Sequence, residues 1–399
     1  MARNDILRIS NLQITWGIIY LFLFAYRTCF SIIGESVVRK LTSIGDTGTY
    51  QAGYVGLGLL KSQENYREDF LHTLMDLHGT GFSTLLTIHL GGFFNRLFYG
   101  NPYLINIAFQ SITFIALVYL LQTVSITVRL RLLLLLMLPS FTLWTSIASK
   151  ECIVAAAVAV LAAYFIRLYS GRIIPGVHEI FAAAILFAFK PHYGMAFLYG
   201  IGTTLMCQLT RRKALTALSL GLASLSILVI FREQIVRYFG LVQDAFFVDF
   251  SIGAMKLGGG RSTRTDAFFV EDADVFLKIP EGFVRAFFGP TVTEMTSTML
   301  HTFIFIEGVI LFAIIIYFII KVFLRLPVYN AIVATFMTFW LMFPNYPFGV
   351  MNSGAAIRYR SGWIILLLVL VAVFLSRSLY INWTTRITHA RSGTLQKIQ

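Results

Sequence analysis

Hydrophobic positions along this chain fall into long runs that are separated by shorter polar segments. Many runs reach the roughly 17–25 residues that a helix needs to cross the hydrocarbon of a bilayer. The chain lacks the pattern of membrane β-barrels, in which apolar and polar residues alternate over segments of about ten residues. Because lipid offers an open backbone no hydrogen-bond partner, the pattern predicts an all-α fold, a polytopic bundle of transmembrane helices.

The runs predict about ten spans in a single transmembrane domain covering residues 1–399. The predicted spans are Leu12–Ile33, Pro102–Leu121, Leu130–Ser146, Cys152–Leu168, Glu179–Phe189, Tyr193–Leu209, Leu215–Ile230, Phe303–Leu324, Val328–Phe343 and Trp363–Leu379. The fifth is the shortest, which favours a tilted or incomplete crossing.

Two longer polar segments interrupt this series. Residues 34–101 are predicted to form the first extracytoplasmic loop, in which the apolar but interrupted stretch Phe82–Phe98 favours a helix lying in the membrane interface. Residues 232–299 are rich in Gly, Asp and Arg and predict a long, flexible extracytoplasmic loop. The tail, residues 380–399, is polar and basic and is predicted to be cytoplasmic.

The low fraction of charged residues supports the membrane prediction, and the positions of Lys and Arg account for the positive net charge. Hydrophobic residues make up 57% and charged residues 13% of the 399, whereas a soluble domain carries about 25% charge. The net charge of +13 comes mostly from Lys and Arg in alternate short connections, as is typical of cytoplasmic loops. Both termini are therefore predicted to be cytoplasmic, and a nucleic-acid partner is not expected. The cysteines and histidines show no spacing of a metal site.

The connections on the opposite face collect ionisable groups, although they come from separate parts of the chain. These groups are Asp46, Lys150, Glu151, Lys190, His192, Arg358 and Arg360. Ionisable groups at the ends of spans cost free energy unless they pair or have a function. The pattern therefore predicts one charged cavity on the non-cytoplasmic face.

Structural roles are alternatives for most of these residues. Lys150 could snorkel to the headgroups, and Lys150 with Glu151 could cap adjacent helix ends. Arg358 and Arg360 could anchor a span on lipid phosphate. His192 could be an interfacial histidine with its hydrogen bonds satisfied.

Asp46 lies in the turn-forming stretch Gly45–Tyr50, directly beyond a membrane helix. Asp46 and Tyr50 match an Asp-x-x-x-Tyr-like stretch, and the layout resembles the GT-C class of membrane glycosyltransferases, which take sugars from polyprenyl-phosphate carriers. Phe82–Phe98 is similar to the juxtamembrane helices of that class. Asn352–Arg360 resembles the Arg-Tyr-Arg segment that often precedes its last span.

The stretch Pro139–Glu151 is similar to a segment of many bacterial membrane proteins from polysaccharide gene clusters, which implies the bacterial inner membrane. The chain departs from the class in two ways. It has no clear acidic pair near Asp46, and no large soluble domain follows the membrane part. These departures leave the participation of a divalent metal open, and no other cofactor is implied.

The resemblance implies an inverting transfer of a sugar from a polyprenyl-phosphate-linked donor to a glycan or glycolipid acceptor. Asp46 is the expected catalytic base and Glu151 a second acid or base, or a partner for a nearby cation. The expected ligands of the donor phosphate are Lys150, Lys190, His192, Arg358 and Arg360, since cationic groups bind phosphate oxygens. The expected acceptor or lid residues are Tyr50, Asp266 and Asp272.

Two alternatives stay open. A repeat-unit polysaccharide polymerase of the O-antigen type shares the layout and would join larger lipid-linked units. A transporter or flippase for a lipid-linked sugar would place polar groups at mid-membrane, whereas the predicted spans carry almost no charge there.

Overall fold

The computed structural model describes residues 3–38, 47–53, 81–124, 126–169, 174–256, 264, 267–296, 299–325, 327–362 and 364–370. This part of the chain is helical and contains no strand, which confirms the all-α prediction. Six of its helices are long and apolar enough to cross a membrane. The count of about ten spans stays a prediction.

The chain divides into two compact units. The first comprises residues 1–122 and 133–159, and the second comprises residues 123–132 and 160–399.

The first seven described helices supply the first unit, and α4, α5 and α7 have residues in both units. They are α1 (Arg3–Ile33), α2 (Thr47–Ala52), α3 (Gly81–Leu97), α4 (Pro102–Thr123), α5 (Ile126–Leu136), α6 (Pro139–Trp144) and α7 (Lys150–Tyr169). A π-helical turn, Gly34–Val38, continues α1.

The remaining helices belong to the second unit. They are α8 (Val177–Phe189), α9 (Pro191–Leu209), α10 (Lys213–Ile230), α11 (Arg232–Lys256), α12 (Asp274–Leu277), α13 (Ile279–Phe288), α14 (Val292–Met295), α15 (Met299–Arg325), α16 (Val328–Met342), α17 (Tyr346–Met351) and α18 (353–362 and 364–370). A 3-10 turn, Phe343–Asn345, joins α16 to α17.

The predicted span Leu130–Ser146 is not one helix. Helix α5 ends before Met137, and Pro139 is the first residue of α6. Proline lacks an amide donor and clashes with the preceding turn, so a helix breaks where it stands in the interior. The carbonyl of Met137 accepts a hydrogen bond from the Tyr26 hydroxyl at 2.6 Å, which satisfies a backbone group that the break leaves open.

The last helix begins ten residues earlier than the predicted span Trp363–Leu379. Its apolar stretch is Ser353–Leu370, and the side chain of Asn352 accepts a hydrogen bond from the Ala355 amide at 2.9 Å, as an N-cap does. Arg358 and Arg360 therefore lie on a helix rather than in a loop. Residues two apart do not share a helix face, so the two arginines have different surroundings.

The described part of the long polar segment 232–299 contains helices α11 to α14, of which α11 has 25 residues. Its glycine run, 258–260, lies outside the described residues, so the predicted flexibility there is untested.

Candidate functional site

Lys190 is the single residue between α8 and α9 in the second unit. Its amide donates to the carbonyl of Leu186 at 2.8 Å, and its carbonyl accepts from the amide of Tyr193 at 2.9 Å. One residue therefore ends one helix and begins the next. Pro191 is the first residue of α9, a position that proline favours because its amide would have no helical partner.

A row of aromatic rings from three other helices begins beside Lys190. Its Nζ is 4.6 Å from the ring centroid of Tyr359, within the range of a cation–π interaction. The Tyr359 ring is 5.7 Å from that of Phe348, which is 6.3 Å from that of Tyr238. Tyr238 is 43% exposed, so this row of rings reaches the surface of the unit.

His192 lies in the first turn of α9, two residues after Lys190. Its side chain interacts with that of Asn345, and its Nε2 is buried with no hydrogen-bond partner among the described residues. Backbone N–H groups and the helix dipole make the start of a helix favourable for an anion. Lys190 and the start of α9 thus form a cationic site, with the His192 ring beside them, and we call this group the Lys190 site.

The two predicted arginines behave differently. Arg358 is half-buried and directly precedes Tyr359, so it lies on α18, the helix whose Tyr359 ring contacts Lys190. Arg360 is fully buried; its Nη1 donates to the carbonyl of Ile304 at 2.7 Å, and its Nη2 donates to those of Phe288 at 2.9 Å and Gly289 at 2.5 Å. These contacts give Arg360 a structural role, holding α13 and α15 to α18. Its role as a phosphate ligand stays a prediction that these contacts disfavour.

A second arginine positions the aromatic row. Arg264 binds both carboxylate oxygens of Glu294, at 2.7 and 2.9 Å, and donates to the carbonyls of Gly349 and Val350 in α17. Partial burial raises the pKa of Glu294, but hydrogen bonds from Arg264 and the Thr291 amide, with the Arg264 charge, outweigh it and lower the pKa to about 2. Glu294 therefore stays ionised at neutral pH, and the ion pair fixes the helix that carries Phe348.

The first unit contains a carboxylate network that sequence reasoning missed. Glu35, in the π-helical turn, accepts hydrogen bonds from Gln51 Nε2 at 2.7 Å and from Asn106 Nδ2 at 3.3 Å. The Oδ1 atom of Asn106 also accepts from the Ala148 amide at 2.9 Å. The sequence signal that could have indicated this network is an acidic residue, Glu35, at the end of an apolar run. Its position in a π-helical turn adds interest, because such turns occur often at functional sites.

The other predicted residues of the first unit lie near the start of α7 or in α2. Lys150 begins α7, and its Nζ donates to Thr84 Oγ1 at 2.5 Å. Glu151 is buried in the first turn of α7, where the helix dipole stabilises a carboxylate. Tyr50 is buried in α2.

Two predicted residues, Asp46 and Asp266, lie outside the described residues. Asp272 is exposed. Asp46 directly precedes Thr47, the first residue of α2. Helix α2 is held to the π-helical turn by the hydrogen bond from Gln51 to Glu35. No group of three or more potential ligands that could hold a metal ion occurs within the described part of the chain.

Helix α2 lies against α3 through glycines. A Cβ atom at Gly91 would collide with the backbone carbonyl of Tyr50, whereas one at Gly92 would meet only the Cα of Gly53, at 3.7 Å. We expect Gly91→Ala to destabilise the protein by roughly 1–3 kcal/mol, because a backbone atom cannot move aside cheaply.

Gly92→Ala is the matched control. Helix propensity favours alanine at both positions by about 1 kcal/mol, so Gly92→Ala should be neutral or stabilising. Thermal unfolding in detergent compares the two variants, and equal midpoints would show that α2 does not pack as described.

Comparison with known proteins adds no family assignment, since no family model, curated protein or solved structure matches this chain.

Proposed function

We propose that this protein is a multi-pass membrane glycosyltransferase that moves a sugar from a polyprenyl-phosphate-linked donor to a glycan or glycolipid acceptor on the non-cytoplasmic face. The observation that carries the proposal is the Lys190 site with its row of aromatic rings. Such a site offers positive charge and flat apolar surface together, as a phosphate-linked sugar requires.

The donor phosphate would bind at the start of α9. The Lys190 ammonium has three donors and a mobile charge, and the dipole of α9 adds to its field. Positive charge fixed there stabilises the phosphate as negative charge develops on the leaving group. Arg358 is the second candidate cation, because an arginine fork can bind two phosphate oxygens at once.

The sugar and the lipid would use the neighbouring surfaces. The C–H faces of a sugar ring are apolar and pack on aromatic rings, which Tyr238, Phe348 and Tyr359 supply. Helix α8, directly before Lys190, exposes Ile180 and Phe181, and such side chains suit a polyprenyl chain. Asp46 remains the candidate base for the acceptor hydroxyl, and direct displacement by that hydroxyl inverts the anomeric centre.

The test compares two lysines in similar settings. Lys213 begins α10, and its Nζ lies 5.6 Å from the ring centroid of Tyr329. With a radiolabelled polyprenyl-phosphate sugar in nanodiscs, we expect Lys190→Met to weaken donor binding at least tenfold, about 1.4 kcal/mol. Lys213→Met should change it less than twofold.

Equal effects of the two substitutions would remove the Lys190 site from the proposal. Transfer of label into one discrete product indicates single-sugar addition, and a ladder of products indicates a polymerase.

A second candidate function is transport of a lipid-linked sugar, and a specific observation favours it. Arg27 lies inside the candidate span Thr15–Ser36, so this span contains a charged residue. Transporters place charged groups and discontinuous helices near the membrane centre. Tyr26, the residue before Arg27, donates a hydrogen bond to Met137 in the break between α5 and α6. Donor binding without transfer, together with donor movement across proteoliposomes, would favour transport.

A further inference from the structure

Helix α1 packs against the first unit along one narrow stripe. The buried positions of its described part are Trp16, Leu23, Arg27 and Ser31, and Gly34 of the following π-helical turn is also buried. Their spacing of seven, four, four and three residues follows one face of a helix. The stripe includes a charged residue and a hydroxyl, Arg27 and Ser31, both with no exposed surface.

Arg27 is only partly satisfied by its protein neighbours. Its Nη2 donates to the carbonyl of Thr145 at 2.6 Å, and its Nε donates to Gln110 Oε1 at 3.3 Å. Among the described residues, its Nη1 is buried with no hydrogen-bond partner, and no carboxylate lies within ion-pairing distance. Removing such a charge from water costs several kcal/mol.

Two hydroxyl groups on the segments that contact each other near Arg27 also lack hydrogen-bond partners among the described residues. Arg27 bonds to Thr145, and Gly34 packs against Ile147, where an added Cβ would lie 2.7 Å from the Ile147 side chain. Ser31 lies between Arg27 and Gly34 on this face, and Ser146 lies between Thr145 and Ile147. Their Oγ atoms are both buried without a hydrogen-bond partner among the described residues.

We propose that Arg27, Ser31 and Ser146 form an internal binding site for a small monovalent anion of the chloride type. A guanidinium N–H and two hydroxyls supply three hydrogen-bond donors on segments that are in contact, and one negative charge neutralises the guanidinium. Arg27 lies nine residues before Ser36, the end of the candidate span, which is about 13 Å along a helix. A phosphate at the lipid headgroups is therefore too far away to be the ligand.

Entry of the anion requires movement, because the three side chains have no exposed surface. Residues 145–149 have no regular helix and connect α6 to α7, so a shift of this connection would admit the ion between Ser146 and α1. The site is independent of the Lys190 site, and its test needs no glycosyl transfer.

The experiment measures the unfolding temperature of the full-length purified protein in sodium chloride and in sodium gluconate at equal concentration. Chloride should raise the midpoint of the wild type by about 3 °C or more, because a ligand that binds only the folded state stabilises it. Arg27→Met should lose this difference, because the substitution removes the only positive charge of the proposed site.

A second variant keeps the charge and tests the hydroxyls. Ser31→Ala with Ser146→Ala should move the chloride concentration of half-maximal stabilisation upward by at least tenfold. The proposal is overturned if the wild type unfolds at the same temperature in both salts, or if Arg27→Met keeps the chloride shift. It is also overturned if phosphate, which stabilises folded proteins non-specifically, gives the wild type an additional shift that Arg27→Met loses and that exceeds the one in chloride. Should Arg27→Met fail to fold, the serine variant decides alone.

Discussion

Arg360→Ala is expected to lower the free energy of unfolding by about 3–5 kcal/mol. The substitution removes three hydrogen bonds from a charged donor to the carbonyls of Ile304, Phe288 and Gly289. Glu307, also buried, interacts electrostatically with Arg360. Removing one member of such an arrangement leaves buried polar groups without compensation, which costs that amount in measured cases.

Arg358→Ala is the matched comparison, because this half-buried arginine is two residues away on the same helix. It should leave the unfolding temperature nearly unchanged and weaken donor binding. Arg360→Lys should also destabilise, since a single ammonium does not reproduce the planar fork of the guanidinium. Thermal unfolding and monodispersity in detergent measure the first effect. A stable Arg360→Ala protein with lost donor binding would instead restore Arg360 as a phosphate ligand.

Asp46→Asn is expected to reduce glycosyl transfer by roughly 10²–10⁴-fold while donor binding and folding stay near wild type. The amide has almost the same shape as the carboxylate but cannot accept the proton of the acceptor hydroxyl, and general bases contribute about that factor. The assay is the transfer of label from a polyprenyl-phosphate sugar to a lipid-linked acceptor.

Asp272→Asn is the control for Asp46→Asn, because Asp272 is exposed and carries only a predicted lid role. We expect its transfer rate within a few-fold of the wild type. If Asp46→Asn retains turnover at the level of this control, Asp46 is not the base. Glu35, tethered to α2 through Gln51, then becomes the next carboxylate to substitute.

Sequence patterns located most long helices of this fold but not their interruptions. Hydropathy is averaged along a run, so the run over 130–146 concealed the proline that separates α5 from α6. The start of α18 was missed for the opposite reason. Asn352 and the two arginines made residues 352–360 appear to be a loop, although the helix buries Arg360 and caps itself with Asn352.

The sites show the same limit. Lys190 and His192 stood out because they flank a proline between two apolar runs, and the structure places them at the start of α9. Their aromatic neighbours Tyr238, Phe348 and Tyr359 come from distant segments, so no local pattern could have joined them. Arg27 was hidden by the apolar run around it, since one charge hardly changes the mean hydropathy of a span.

The brevity of α8, which was predicted as a span, would have a consequence for the surrounding lipid. Its 13 residues extend about 20 Å, some 10 Å less than a typical hydrocarbon core. At its start, Glu179 forms an ion pair with Arg167 and lies 3.0 Å from His178 Nε2, and these polar groups favour the aqueous boundary there. In a bilayer the difference between the length of α8 and the hydrocarbon thickness would then fall at the end of α8 that carries Lys190. The bilayer would become thinner there, or water would enter as far as Lys190. A donor could then meet Lys190 without lifting its phosphate out of the leaflet, and local membrane thickness would help to govern access.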